Sequence, residues 1–159
     1  MSRVLLAGFL GDNNSAKIIL DKCSKNLKKL YLENDFQKCA DQIQSAISCS
    51  HYEFVLTIGQ KPVIKSICIE LVGKYLCSSI QTQYDYNIFS DFFKNYGYKV
   101  RISSNAGNYL CNHVYYHSLN TIAKNNSNTK TLFVHIPYLN NISDVNHLAL
   151  TVSNFLLNL

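Results

Sequence analysis

Phe36, Cys39, Ala40, Ile43 and Ile47 fall at i, i+3, i+4, i+7 and i+11 behind the polar pair Asn34-Asp35, a pattern that predicts an amphipathic helix. Phe54-Val55-Leu56-Thr57-Ile58, just beyond it, is nearly unbroken apolar sequence and predicts a buried strand. The same alternation runs along most of the chain. Arg3 to Ala7 reads as a buried strand, broken by Gly8 and the polar stretch from Gly11 to Ser15. Ser15 is then the expected N-cap of a helix carrying Ala16, Ile19, Leu20, Cys23 and Leu27, with Lys29 to Leu32 as a short strand after it. Val63 to Val72 is apolar and β-rich, and Cys77 to Gln83, which has no decisive period, is assigned to strand. Phe89, Phe92, Phe93 and Tyr96 make a helical face closed by Gly97, followed by a strand from Tyr98 to Ile102. A further helix is expected to run to about Lys124, a polar loop from Asn125 to Lys130, and the last strand from Thr131 to Ile136. Ser143 caps a final helix with the stripe Val145, Leu148, Ala149, Val152, Phe155, Leu156 and Leu159.

Strands that alternate with helices imply a three-layer α/β/α sandwich around a mostly parallel twisted sheet. Ligands in such sheets gather at the carboxyl ends of the strands. Gly8, Gly59, the segment Asn105 to Cys111 and Pro137 all follow predicted strand ends, so their loops are expected to converge on one edge. With 159 residues, no linker and no repeat, residues 1–159 are read as a single domain.

A hydrophobic fraction of 47% against 16% charged residues excludes a disordered chain. The longest apolar stretches fall far short of a membrane span, and the opening Met1 to Gly8 is too short for a signal peptide, so a cytoplasmic protein without a membrane partner is expected. The net charge of +5 has one local cluster, Lys22, Lys25, Lys28 and Lys29, read as the solvated end of a helix and not as a nucleic-acid surface. The six cysteines show no CxxC spacing, which argues against a disulfide framework or a zinc ribbon.

Cys111 stands where a strand gives way to a helix, and unpaired N–H groups there favour a thiolate and can receive an oxyanion. His135 interrupts the apolar run Thr131 to Ile136, 24 positions later, on the next strand. An imidazole is the usual activator of a cysteine nucleophile, although a lone histidine on an apolar strand is more often a satisfied core residue. Glu70, inside Ile67-Cys68-Ile69-Glu70-Leu71-Val72, is a carboxylate whose burial demands a partner, for which a protonated imidazole would serve. His113 and His117 lie at i+2 and i+6 from Cys111, on different helix faces, so no metal is expected. Gly8 and Gly11 make no dinucleotide fingerprint, and no cofactor is expected.

The run Ile102-Ser103-Ser104-Asn105-Ala106-Gly107-Asn108-Tyr109-Leu110-Cys111-Asn112 resembles the nucleophile motif of the pyroglutamyl peptidase I (pyrrolidone-carboxylate peptidase) family, and Phe133-Val134-His135-Ile136-Pro137 resembles its histidine motif at matching separation. Leu6-Ala7-Gly8-Phe9 with Asn14-Ser15, Ile58-Gly59-Gln60 and Glu70-Leu71-Val72 are similar to three further segments of that family. The resemblance implies a cytosolic cysteine exopeptidase that removes N-terminal pyroglutamate from peptides, with Cys111 as nucleophile, His135 as base and Glu70 orienting the imidazole. It further implies that Gln60 binds the lactam ring while Phe9, Leu110 and Ile80 line the apolar part of its pocket, and it leaves a homo-oligomer open.

Several positions depart from the family pattern. The glycine-rich loop after the first strand is shorter, Lys61-Pro62-Val63-Ile64 replaces a Gly-Gly-Arg segment, Leu71 and Ser79 stand where the family carries arginines, and the segment between Glu70 and Cys111 is reduced. Two other readings therefore stand beside the peptidase: a degenerate homologue that binds a peptide end or partner without turnover, and a Cys-His-Glu hydrolase of another acyl group.

Overall fold

The computed structural model describes residues 3–159; Met1 and Ser2, which open the segment read as too short for a signal peptide, lie outside the described residues. The elements follow in the order β1 (Val4–Phe9), α1 (Ser15–Lys22), β2 (Lys28–Leu32), α2 (Phe36–Cys49), β3 (Phe54–Lys61), β4 (Ile67–Glu70), β5 (Val72–Tyr75), β6 (Ser78–Gln81), α3 (Tyr86–Asn95), β7 (Val100–Ser103), α4 (Leu110–Lys124), β8 (Lys130–Pro137) and α5 (Val145–Leu157), with a 3-10 turn at Leu139–Asn141 before α5.

Six strands form the central sheet in the order β2-β1-β3-β8-β4-β7. The pairs β1 with β2, β1 with β3 and β3 with β8 are parallel, as is β4 with β7, whereas β4 runs antiparallel to β8. Because successive side chains point to opposite faces, the sheet sorts its apolar residues into two cores. Leu6, Leu56, Ile58, Ile69 and Val134 pack with α1, α3 and α5. Leu5, Ala7, Phe9, Val55 and Phe133 pack with α2 and α4 on the other face. The three layers of the expected sandwich are these two helical layers and the sheet between them.

Several local readings change: β1 runs through Gly8 to Phe9, β7 spans Val100–Ser103 and α5 ends at Leu157, short of Leu159. Asn14, not Ser15, caps α1: its side chain accepts from the Ala16 N–H at 2.9 Å, while the buried Ser15 hydroxyl donates to the Pro137 carbonyl at 2.8 Å. Helix α1 ends at Lys22, so Leu27 lies beyond it and Lys28 and Lys29 belong to β2, although Lys29 Nζ still reaches back to the Cys23 carbonyl at 2.8 Å. Asp144, not Ser143, caps α5, its side chain accepting from the His147 N–H at 2.9 Å. In both caps a neighbouring Asn or Asp supplies the better-placed acceptor.

The irregular middle third resolves into β4 and a hairpin of β5 and β6 that forms its own two-stranded sheet. The hairpin lies on α4. A Cβ at Gly73 would come within 2.7 Å of the Tyr116 backbone, and Asn112 holds the backbone of Lys74 through two hydrogen bonds of 2.9 and 2.8 Å.

Candidate active site

The register of three strands gathers the charged residues on the face that α4 covers. Gly59 pairs with His135 and Lys61 with Pro137 across β3 and β8, while Cys68 pairs with His135 and Glu70 with Phe133 across β4 and β8. Partners in a sheet share a face, so Gly59, Lys61, Cys68, Glu70 and His135 all point toward α4. Cys111, the second residue of α4, lies directly above: a Cβ built on Gly59 would approach its Sγ to 2.7 Å. Only a residue without a side chain leaves room for the thiol there.

The route to this arrangement differs from the expected one. Gly8, Gly59 and Pro137 lie inside β1, β3 and β8 instead of following them, near the carboxyl ends that these parallel strands share. Strand β7 is antiparallel to them, and its last residue, Ser103, lies level with Glu70 and therefore with Phe133. The segment 104–109 doubles back from there to the start of α4. Gly107, at φ 91°, takes a left-handed backbone on the way.

His135 and Glu70 form a buried pair, with His135 Nδ1 and Glu70 Oε1 2.7 Å apart. Glu70 is fully buried, and Lys61 Nζ lies 3.5 Å from the same oxygen. Burial pushes the Glu70 carboxyl up. The hydrogen bond from His135, the Ser103 hydroxyl and the charges of His135 and Lys61 outweigh that and hold it below the usual carboxylate range. With Nδ1 committed to Glu70, Nε2 is the ring nitrogen left for a second partner. The thiol behaves differently from the sequence expectation. Burial pushes Cys111 up to about 12 and the Glu70 charge adds to this, while Lys61 and, more weakly, the Cys111 backbone N–H pull it down. The helix start acts in the expected direction but is outweighed by desolvation.

A cavity of roughly 410 Å³ opens at this edge, and Cys111, His135, Gln60, Phe9 and Leu110 all line it together with Lys61. Gln60 comes from the opposite face of β3. Its Oε1 accepts from the Ser15 backbone N–H at 3.0 Å, with the Ser15 hydroxyl 3.3 Å away, so the amide carbonyl is held by the first turn of α1. Ile80 does not join them: it sits in β6 and lines a different cavity with Leu119, Ile122 and Thr131. The hairpin carries it toward the later turns of α4, away from Cys111. His113 and His117 also lie apart, their rings 4.4 Å from each other and packed near Tyr75. Among the described residues no group of three or more His, Cys, Asp or Glu side chains could hold a metal ion. Lys61 and Gly59 are present in the sequence reading without a role in the site. Period-two spacing from Gly59 places Lys61 on the α4 face, but its partner Glu70 lies on a strand that is not adjacent.

The model of the pyroglutamyl peptidase family matches residues 87–153, a span that contains Cys111 and His135 but neither Gln60 nor Glu70. Over 38 residues the chain is 55% identical to pyrrolidone-carboxylate peptidase 1 of Caldanaerobacter subterraneus subsp. tengcongensis, covering 24% of this chain and 19% of that protein. A longer alignment, 28% identical over 135 residues, joins it to the pyrrolidone-carboxylate peptidase of Thermosipho melanesiensis and covers 71% of this chain and 67% of the relative. The matched parts thus range from under one fifth to about two thirds of the length of these curated relatives. The fold is that of pyroglutamyl peptidase I from Bacillus amyloliquefaciens, with a TM-score of 0.84 at 17% identity, covering 99% of this chain and 94% of that one. It is also that of the pyrrolidone carboxyl peptidase of Fervidobacterium islandicum AW-1, with a TM-score of 0.77 at 24% identity and coverage of 86% and 81%. Sequence matches around the cysteine and histidine segments, longer alignments to curated peptidases and a fold shared along nearly the whole chain agree in making the chain similar to the pyroglutamyl peptidases.

Proposed function

We propose that this chain is a cysteine exopeptidase that removes N-terminal pyroglutamate from peptides, acting as one domain in the cytoplasm. The observation that carries the reading is the hydrogen-bonded His135–Glu70 pair on the sheet face under Cys111, in a cavity that Gln60, Phe9 and Leu110 also line. The residues account for each step. His135 takes the Cys111 proton at Nε2 as the sulfur attacks the carbonyl that follows the lactam ring. Because burial holds the thiol well above neutrality, proton removal accompanies attack and a standing thiolate is not required. N–H groups at the start of α4, where Tyr109 supplies no side-chain cap, receive the oxyanion. The protonated imidazole then gives its proton to the leaving amine, and a thioester remains on Cys111. Water, deprotonated by His135, cleaves the thioester and releases pyroglutamate. Glu70 holds the imidazole through Nδ1 and balances its charge in the transition state.

Recognition is divided between polar and apolar groups. The Gln60 carbonyl is occupied by Ser15, so its amide NH₂ is the group that meets the ring carbonyl. Phe9 and Leu110 provide the apolar wall. The test is hydrolysis of pyroglutamyl-aminomethylcoumarin by purified protein beside Cys111→Ser, with the prolyl amide as comparator. Turnover of the pyroglutamyl amide alone, reduced on the order of 10³-fold or more in the serine variant, is expected. A wild type that binds a pyroglutamyl peptide without cleaving it would support the degenerate-homologue reading instead.

A further inference from the structure

We propose that Lys61 is a positioning residue for the Cys111–His135 pair: its ammonium shares the buried Glu70 carboxylate with His135, so that the carboxylate holds the imidazole in place while leaving it free to accept a proton. The inference rests on the assignment of Cys111 and His135 as nucleophile and base. Its foundation is geometric. Glu70 has no solvent exposure, and an uncompensated carboxylate in that position is costly. Among the described residues two groups able to carry positive charge lie within ion-pair distance of it, His135 Nδ1 at 2.7 Å and Lys61 Nζ at 3.5 Å. Lys61 reaches it because it ends β3 on the α4 face, two residues after Gly59, and its side chain lines the same cavity as Cys111 and His135.

The groups that face Glu70 come from four elements besides its own. His135 stands on β8, Lys61 on β3, Ser103 on β7, and Cys111 and Tyr115 on α4, with Cys68 beside it on β4. Of these, Lys61 and His135 are the groups that can carry positive charge, and Lys61 is the one outside the proton transfer. Remove it, and the balance for Glu70 falls on the imidazole, which then favours its protonated form. The Cys111 thiol loses a stabilising charge as well, since Lys61 acts to lower it. Both changes have one sign. The first proton leaves the thiol–imidazolium pair at a higher pH whichever group surrenders it.

The experiment is the pH profile of Cys111 alkylation by iodoacetamide, resolved by peptide mapping, in wild type, Lys61→Met, Lys61→Gln and Lys61→Arg. Exposed Cys49 and Cys77 serve as references in the same samples, and labelling of buried Cys23 or Cys39 reports loss of the fold. For the two neutral variants the acid limb should move up by about half a unit to one unit, less than for a fully buried pair because Lys61 is partly exposed. At a fixed pH on that limb, labelling slows roughly three- to tenfold, and Lys61→Arg should restore the wild-type profile. Coincident profiles in wild type and a folded neutral variant would overturn the proposal. So would an NMR titration of wild-type His135 that finds the ring already fully protonated at pH 7, a result that needs no variant. Neither measurement uses a substrate. A shifted profile in a protein that does not hydrolyse pyroglutamyl amides would sink the peptidase reading alone, and hydrolysis with an unshifted profile would sink the Lys61 assignment alone.

Discussion

Glu70, His135 and Lys61 meet on the face of the sheet that α4 covers, whereas Gln60, between Gly59 and Lys61 on the same strand, turns to the face that α1 covers and is anchored by Ser15. Both faces contribute to one cavity, but they are built differently. On the α4 face, charged groups are held in a buried network where one glycine decides whether the sulfur fits. On the α1 face a neutral amide is fixed by hydrogen bonds to a helix start. Damage to the first should alter proton affinities and rate. Damage to the second should alter recognition and leave the pH dependence in place.

The sharpest test of this division is Glu70→Gln. It keeps the shape and one hydrogen-bond acceptor while removing the charge that balances both Lys61 and an imidazolium. Hydrolysis should fall by roughly 10²- to 10⁴-fold, the scale seen when a histidine loses its carboxylate partner. Stability gives an independent check. The folded Glu70 carboxyl lies below its ordinary value of 4.5, so its contribution is fully present above that value and is lost as pH falls through the folded value. Denaturant melts of wild type and variant should therefore differ most near neutral pH and converge in acid. Curves that stay parallel from neutral pH to the acid limit would show that the charge of Glu70 is not what the network depends on.

Gly59→Ala probes the same face by volume instead of charge. The added methyl would lie 2.7 Å from Cys111 Sγ and 2.9 Å from the Phe133 ring, closer than packed atoms approach. The sulfur must move. A displacement of about 1 Å at a reacting atom costs on the order of 10²-fold in rate, and overpacking of this kind costs about 1–3 kcal/mol of stability. An alanine variant with wild-type kcat/KM would place the working thiol elsewhere.

Much of the two faces can be read from the residues alone, and the gaps have physical causes. The stripe from Phe36 to Ile47 and the run from Phe54 to Ile58 each encode their element because period and length agree. Cys111, His135 and Glu70 stand out as reactive or charged groups in apolar surroundings, and they do come together. The directions of β4 and β7 were hidden because a short buried run reads the same forward or reversed relative to its neighbour. Ile80 was misplaced for a related reason: from Cys77 to Gln83 no period fixes a face, and the hairpin docks on α4 through Gly73 and Asn112 instead of through an apolar stripe. Lys61 has no role in the sequence reading because its partner is brought near only by the register of two pairings, β3 with β8 and β8 with β4.

The α1 face offers the mildest test and the one that separates recognition from chemistry. Gln60→Ala deletes the amide proposed to meet the lactam carbonyl and leaves the Ser15 N–H without its 3.0 Å acceptor. A site built to pair a substrate polar group loses roughly 1–3 kcal/mol of transition-state binding when that group is removed, or about 5- to 150-fold in kcat/KM. Ser15→Ala should do less. It removes the hydroxyl that donates to Pro137 at 2.8 Å and lies 3.3 Å from Gln60 Oε1 but keeps the backbone donor at 3.0 Å, so Gln60 is loosened without being lost. About 1 kcal/mol, a loss of severalfold, is expected. In neither variant should the acid limb of the pH–rate profile move, because Gln60 and Ser15 carry no charge and point away from the Glu70 network. Kinetics over pH 5 to 9 on a pyroglutamyl amide would read both quantities at once. A shifted acid limb in Gln60→Ala would mean that the two faces are coupled electrostatically and that their separation, as argued from strand alternation, is wrong.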